Sequence, residues 1–204
     1  MKVGLFFGTF NPVHVGHLII ANYMATETDL DQVWFVVSPQ NPLKTKKSLL
    51  PEFHRLALVR VAIEQSPKLR ASSIEFDLPT PSYTITTLAY VQEQYPDHEF
   101  SLILGEDNLR NFHKWKNYEQ ILEKHNLYVY PRAYSESEQN GTSEDPSETN
   151  LVSGHDRVNY CLDVPVMRIS SSYIRSAIKE GRDVRFLLTE PVHKYVEEMH
   201  FYKK

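Results

Sequence analysis

One cysteine, Cys161, stands in 204 residues, so no disulfide can form within the chain. Its local sequence is neither basic nor His-rich, the settings that activate a thiol, and we expect a buried, unreactive group. No apolar run approaches the length of a membrane span, and MKVGLFFGTF is broken too early by Gly8-Thr9 to work as a signal peptide. A soluble protein with a cytoplasmic location and no membrane partner is the expectation. Massed basic residues are also missing: the net charge is -4 and the lysines and arginines are scattered, which argues against a broad footprint for nucleic acid. A small anion is not excluded by that balance, because helix N-termini and one or two cations hold a phosphate locally.

What is there is an ordinary globular mixture, 41% hydrophobic and 24% charged, long enough to bury one core, so we expect a single domain over residues 1–204. The chain opens as strand (Val3 to Phe7), Gly-Thr turn and helix (Leu18 to Met24), followed by a buried strand from Val33 to Val37 and a Pro-rich loop from Pro39 to Pro51. The spacing predicts helices over Phe53 to Ile63, Tyr83 to Tyr95 and Tyr118 to Lys124, and strands over Phe100 to Leu104, Leu127 to Tyr130 and Val164 to Ile169. Residues 170–204 read as a C-terminal helical part, with helices near Ser171 to Lys179 and Pro191 to Met199. Ala133 to Asn150 carries five acidic residues and no basic ones, and reads as a mobile surface loop. Strands alternating with helices predict an α/β, Rossmann-like, doubly wound and mainly parallel sheet with helices on both faces, its ligands beyond the carboxyl ends of the strands.

Three constellations lie where that architecture places ligands. Gly8-Thr9-Phe10-Asn11-Pro12-Val13-His14-Val15-Gly16-His17 joins a strand to a helix, with glycines that allow close backbone approach, helix N–H groups, and imidazoles three residues apart. A plain turn with two incidental histidines, or a His-x-x-His metal pair, is the alternative, although no nearby cysteine or carboxylate completes a metal set. Ile169-Ser170-Ser171-Ser172-Tyr173-Ile174-Arg175 places hydroxyls at a helix start and an arginine one turn later, which suits either phosphate or simple capping. Leu104-Gly105-Glu106-Asp107, with Trp115 further on, combines a carboxylate that can accept from ribose hydroxyls with an indole that can stack on a heterocycle. A helix cap for Asp107 and a core position for Trp115 compete with those roles. Pro81-Ser82-Tyr83-Thr84 opens a helix, where an anion would be stabilised or where the hydroxyls simply cap.

The first segment resembles the Gly-x-Phe-x-Pro-x-His-x-Gly-His signature of the nucleotidyltransferase superfamily, with Asn11 where many relatives carry Asp. The Ser170 segment resembles its Ile-Ser-Ser-Thr-x-Ile-Arg motif, with Ser172 replacing Thr. The Gly105 to Trp115 stretch and Pro81-Ser82-Tyr83-Thr84 are similar to elements of bacterial nicotinate-nucleotide adenylyltransferases, and the resemblance covers Val3 to about Tyr202. It implies that His14 and His17 bind ATP phosphates, with His17 nearest the α-phosphorus and Arg175 completing the catalytic set. Gly8, Thr9, Phe10, Gly105, Asp107, Ser170, Ser171 and Ser172 would bind ATP. Lys44, Ser82, Tyr83, Thr84, Trp115 and Arg132 would bind the acceptor, with Lys46 and Lys47 close enough to replace Lys44, which lacks the His often found before it.

The implied reaction joins ATP and nicotinate mononucleotide to give nicotinate adenine dinucleotide and pyrophosphate. Mg²⁺ accompanies ATP, with no dedicated protein metal ligands. The alternatives are the same chemistry on nicotinamide mononucleotide or phosphopantetheine, and a nucleotide-binding module without turnover. Oligomeric state is left open.

Overall fold

The structure, a computed structural model, describes residues 1–39, 49–131 and 152–203. Within them, β1 (Lys2–Gly8), β2 (Gln32–Val37), β3 (Leu69–Ser72), β4 (Glu99–Gly105), β5 (Leu127–Tyr130) and β6 (Val158–Tyr160) form one sheet in the order β3-β2-β1-β4-β5-β6. Every pairing is parallel. The helices are α1 (Val15–Glu27), α2 (Glu52–Ile63), α3 (Thr84–Gln94), α4 (Glu106–Arg110), α5 (Tyr118–Lys124), α6 (Ser171–Lys179) and α7 (Glu190–Glu198).

The alternation along β2 shows why both faces are covered. Val33, Phe35 and Val37 point into a core with Ala21 and Met24 of α1, Leu58 and Val59 of α2, Ile174 and Ala177 of α6, and Val192 and Val196 of α7. Trp34 and Val36 point the other way, into a core with Leu88 and Val91 of α3, Leu109 of α4 and Ile121 of α5. A strand buried on both faces has no polar side to offer, so it reads as a continuous apolar run.

Strand order reverses between β1 and β4, which pair directly. The carboxyl ends of these strands, Gly8 and Gly105, therefore flank the crevice where doubly wound sheets bind ligands. A Cβ on Gly8 would lie 2.8 Å from the Phe10 ring, and one on Gly105 would lie 2.6 Å from Asp107 Oδ1, so a larger residue at either position would displace a neighbouring side chain.

Two expectations are corrected. Val164 to Ile169 is not a strand; β6 is Val158–Tyr160, earlier in the chain, and it takes the sheet edge beside β5. Pro165 has no N–H for a ladder, and Val166 and Met167 are exposed, so the apolar residues there lack a sheet to join. β3 was not anticipated, because LRAS is short and polar in the middle, with Arg70 lying over the Trp34 ring at 4.2 Å. The expected acidic loop from Ala133 to Asn150 and most of the Pro39 to Pro51 loop fall outside the described residues. No helix among the described residues is long and apolar enough to cross a membrane. Cys161 is buried, and burial pushes its thiol pKa up, consistent with an unreactive group.

Candidate active site

The turn from β1 into α1 is held by its carbonyl oxygens. Gly8 O accepts from Ser38 N at 2.9 Å, Thr9 O from Arg55 at 2.8 Å, Asn11 O from Arg175 at 2.9 Å, and Pro12 O from Ser171 Oγ at 2.9 Å. His14 O then accepts the first helical amides, from His17 at 2.9 Å and Leu18 at 3.3 Å. Carbonyl dipoles that would repel a phosphate are thus engaged by protein donors, which favours a loop that meets its ligand through N–H groups. Phe10, at φ 44, sits in the left-handed region that a bulky residue seldom adopts. Its ring is clamped between Phe35 at 5.2 Å and His17 at 5.1 Å, so packing over-determines the strained turn.

His14 and His17 stack with ring centroids 3.7 Å apart and planes 24° from parallel. Gly16 makes this contact and the approach of the C-terminal segment possible, since a Cβ there would lie 2.5 Å from Ile169 Cγ2 and 3.1 Å from His14 Nδ1. The His14 amide donates to His17 Nδ1 at 3.2 Å, which puts the His17 proton on Nε2. Burial lowers the His14 pKa to about 4. Burial, then the neighbouring His14, holds His17 well below the ordinary imidazole range. Both rings are therefore neutral near pH 7 in the free protein. His14 Nδ1 is buried with no hydrogen-bond partner among the described residues, an orphan polar atom at the switch point of the sheet.

α6 brings the far end of the chain to this loop. Ser170 caps it, its Oγ accepting from Tyr173 N at 3.2 Å, while Ser171 Oγ and Arg175 hold the Pro12 and Asn11 carbonyls. Arg175 also donates to Ser172 Oγ at 3.2 Å. The two motifs recognised separately in sequence are one assembly, and Ser171 and Arg175 join it as much through loop carbonyls as through any ligand. Asn11 ties the loop to two distant segments: its Oδ1 accepts from Leu50 N at 3.2 Å and from Tyr202 Oη at 2.8 Å.

Across the crevice, Gly105 and half-buried Asp107 follow β4, and Trp115 is half-buried, packed on Phe112 with ring centroids 4.9 Å apart. Trp115 thus combines the core role and an accessible face. Ser82, Tyr83 and Thr84 lead into α3, with Tyr83 exposed and Lys116 Nζ 4.5 Å from its ring centre. Ser82 Oγ donates to Glu75 at 3.3 Å, and Thr87 Oγ1 donates to the same buried carboxylate at 2.8 Å. Lys44, Lys46, Lys47 and Arg132 lie outside the described residues.

Sequence reasoning missed Arg55, Glu75 and Tyr202. Arg55 had a legible signal: it shares a helical face with Leu58 and Val59, where a charged residue has no reason to sit unless it is buried against acceptors. Glu75 and Tyr202 carry no such pattern.

Residues 5–177 match the model of the cytidylyltransferase-like family. The chain is 52% identical over 204 residues to a probable nicotinate-nucleotide adenylyltransferase of Flavobacterium johnsoniae, covering 100% of both. It is 42% identical over 198 residues to one from Bacteroides thetaiotaomicron, covering 97% of this chain and 92% of that one. In fold it is similar to the Plasmodium falciparum nicotinic acid mononucleotide adenylyltransferase complexed with NaAD, at TM-score 0.75 and 16% identity over 99% of this chain and 97% of the other. With residues 5–177 matching the family model and half of the whole chain identical to a curated relative, the chain belongs to the cytidylyltransferase-like family and, within it, to the nicotinate-nucleotide adenylyltransferases.

Proposed function

We infer that this enzyme transfers the adenylyl group of ATP to nicotinate mononucleotide, forming nicotinate adenine dinucleotide and releasing pyrophosphate. The observation that carries the reading is the β1–α1 turn, with its carbonyls engaged and two neutral, stacked imidazoles beside them at the strand-order switch. An oxygen of the acceptor's 5′-phosphate attacks the α-phosphorus, the bond to the pyrophosphate oxygen breaks, and no proton has to be removed from the nucleophile. Catalysis is then positioning and charge stabilisation.

His17 is suited to donate from Nε2 to an α-phosphate oxygen, and His14, with its orphan nitrogen, to meet the neighbouring phosphates. The backbone of Gly8, Thr9 and Phe10 would lie along the nucleotide. The start of α6, with Ser170, Ser171, Ser172 and the remaining donors of Arg175, would take the β- and γ-phosphates of the leaving group. Asp107, beside Gly105, would accept from the ribose. Mg²⁺ brought in with the triphosphate would neutralise charge on the phosphates.

On the acceptor side the first amides of α3, at Tyr83 and Thr84, suit the nicotinate carboxylate, and Trp115 suits the pyridine ring. Ser82 contributes by holding that helix start to Glu75. Lys44 and Arg132 would approach the mononucleotide phosphate. We place the reaction in the cytoplasm, where ATP is at hand, within the single domain of residues 1–204.

The test is pyrophosphate release with MgATP and, side by side, nicotinate mononucleotide, nicotinamide mononucleotide and phosphopantetheine, with products identified by mass. Strong preference for the nicotinate acceptor is expected. Turnover with another acceptor alone would reject the acceptor assignment, and none with any would leave a binding module.

A further inference from the structure

Arg55 is fully buried in the first turn of α2, and its guanidinium donates to four backbone carbonyls. Nε donates to Leu50 O at 2.8 Å, one terminal nitrogen to Thr9 O at 2.8 Å and Ser38 O at 2.7 Å, and the other to Pro39 O at 2.9 Å. Among the described residues no carboxylate forms an ion pair with it. Burial lowers its pKa, and the negative charge of Glu52 opposes that shift. Desolvating that cation is costly, and the cost is offset by the four carbonyl oxygens it satisfies, among them the Thr9 oxygen of the β1–α1 turn.

We propose that Arg55 is the positioning residue of the ATP site: it fixes the Thr9 peptide against the exit of β2 and supplies positive potential beneath the phosphate loop, with the bound triphosphate as its counter-charge. The proposal rests on the adenylyltransferase reading and adds to it a residue that need not touch substrate. A guanidinium on the Thr9 carbonyl polarises the Thr9–Phe10 peptide and strengthens its N–H as a donor to an anion. It acts together with Arg175, which holds the Asn11 carbonyl two residues on. The planar fork is what the position requires, since four donors reach Thr9, Ser38, Pro39 and Leu50 at once; an ammonium has three donors and no fixed plane.

The experiment compares wild type, Arg55→Lys and Arg55→Met as full-length protein, at a temperature where each is folded by circular dichroism. ATP affinity is measured by calorimetry, and kcat and KM are measured for each substrate. ATP affinity should fall about ten- to hundredfold in Arg55→Met and less in Arg55→Lys, with KM for nicotinate mononucleotide changing much less. A lowered melting temperature with wild-type ATP affinity and kcat would make Arg55 merely structural and overturn the proposal. A second readout needs no variant: the resonance of the buried Arg55 Nε–H of the wild type, bonded to Leu50 O, should shift in step with ATP occupancy, and a static resonance would also overturn it. Failure of the wild type to bind ATP at all would sink the functional reading itself, a result distinct from loss confined to the variants.

Discussion

The two sides of the crevice are built by contacts of very different reach. On the side proposed to bind ATP, the loop of residues 8–17 is fastened by Ser171, Arg175 and Tyr202, which lie 159, 164 and 191 residues away from their partners. On the side proposed for the acceptor, Ser82 and Thr87 are fastened to Glu75, only 7 and 12 residues away. The loop of residues 8–17 is therefore fully fastened only once both ends of the chain have docked, whereas the start of α3 is organised within one local stretch. Damage to the C-terminal helices should reach ATP first and the acceptor hardly at all.

The sharpest break is His17→Ala. Loss of the α-phosphate donor should lower kcat about 10²- to 10³-fold, with the far-ultraviolet dichroism unchanged. A mild effect in steady-state kinetics would remove His17 from the chemistry.

Next in size is a pH effect at His14. The folded protein holds His14 neutral, with a pKa of about 4 against 6.5 when unfolded. Below 6.5 the unfolded chain binds the proton that the folded chain refuses, so stability is fully present above that pH and falls as pH drops toward 4. This one residue should cost about 2 kcal/mol between pH 7 and pH 5. Chemical denaturation at those two pH values checks it, and His14→Gln should flatten the difference by a similar amount.

The comparison itself is tested by a pair of variants with smaller effects. Arg175→Ala should raise KM for ATP about tenfold and leave the acceptor's KM close to wild type, since it frees the Asn11 carbonyl. Trp115→Ala should do the opposite, raising the acceptor's KM about tenfold through lost stacking. If both variants move both constants equally, the two sides are not separable.

Much of the fold was legible because buried parallel strands leave apolar runs that need no partner to be seen. Leu127–Tyr130, Tyr118–Lys124 and Ser171–Lys179 appear at the bounds expected of them. β3 was illegible because an edge strand of four residues with an exposed arginine has no periodicity to detect. Val164 to Ile169 misled for the opposite reason: an apolar run joins a sheet only if an edge is free, and β6 had taken it.

The motif residues His14, His17, Ser170 to Ser172 and Arg175 could be picked out because they match nucleotidyltransferase signatures in residue type and spacing. What they touch could not. Sequence by itself determined the layered α/β architecture, the family and the two segments that carry its motifs, since these depend on local pattern and residue type. Tertiary structure alone decided that the two motifs form one assembly, that the imidazoles stack and stay neutral, and that Arg55 lies beneath the loop. Those facts depend on burial and on contacts between residues far apart in the chain, which no local pattern encodes.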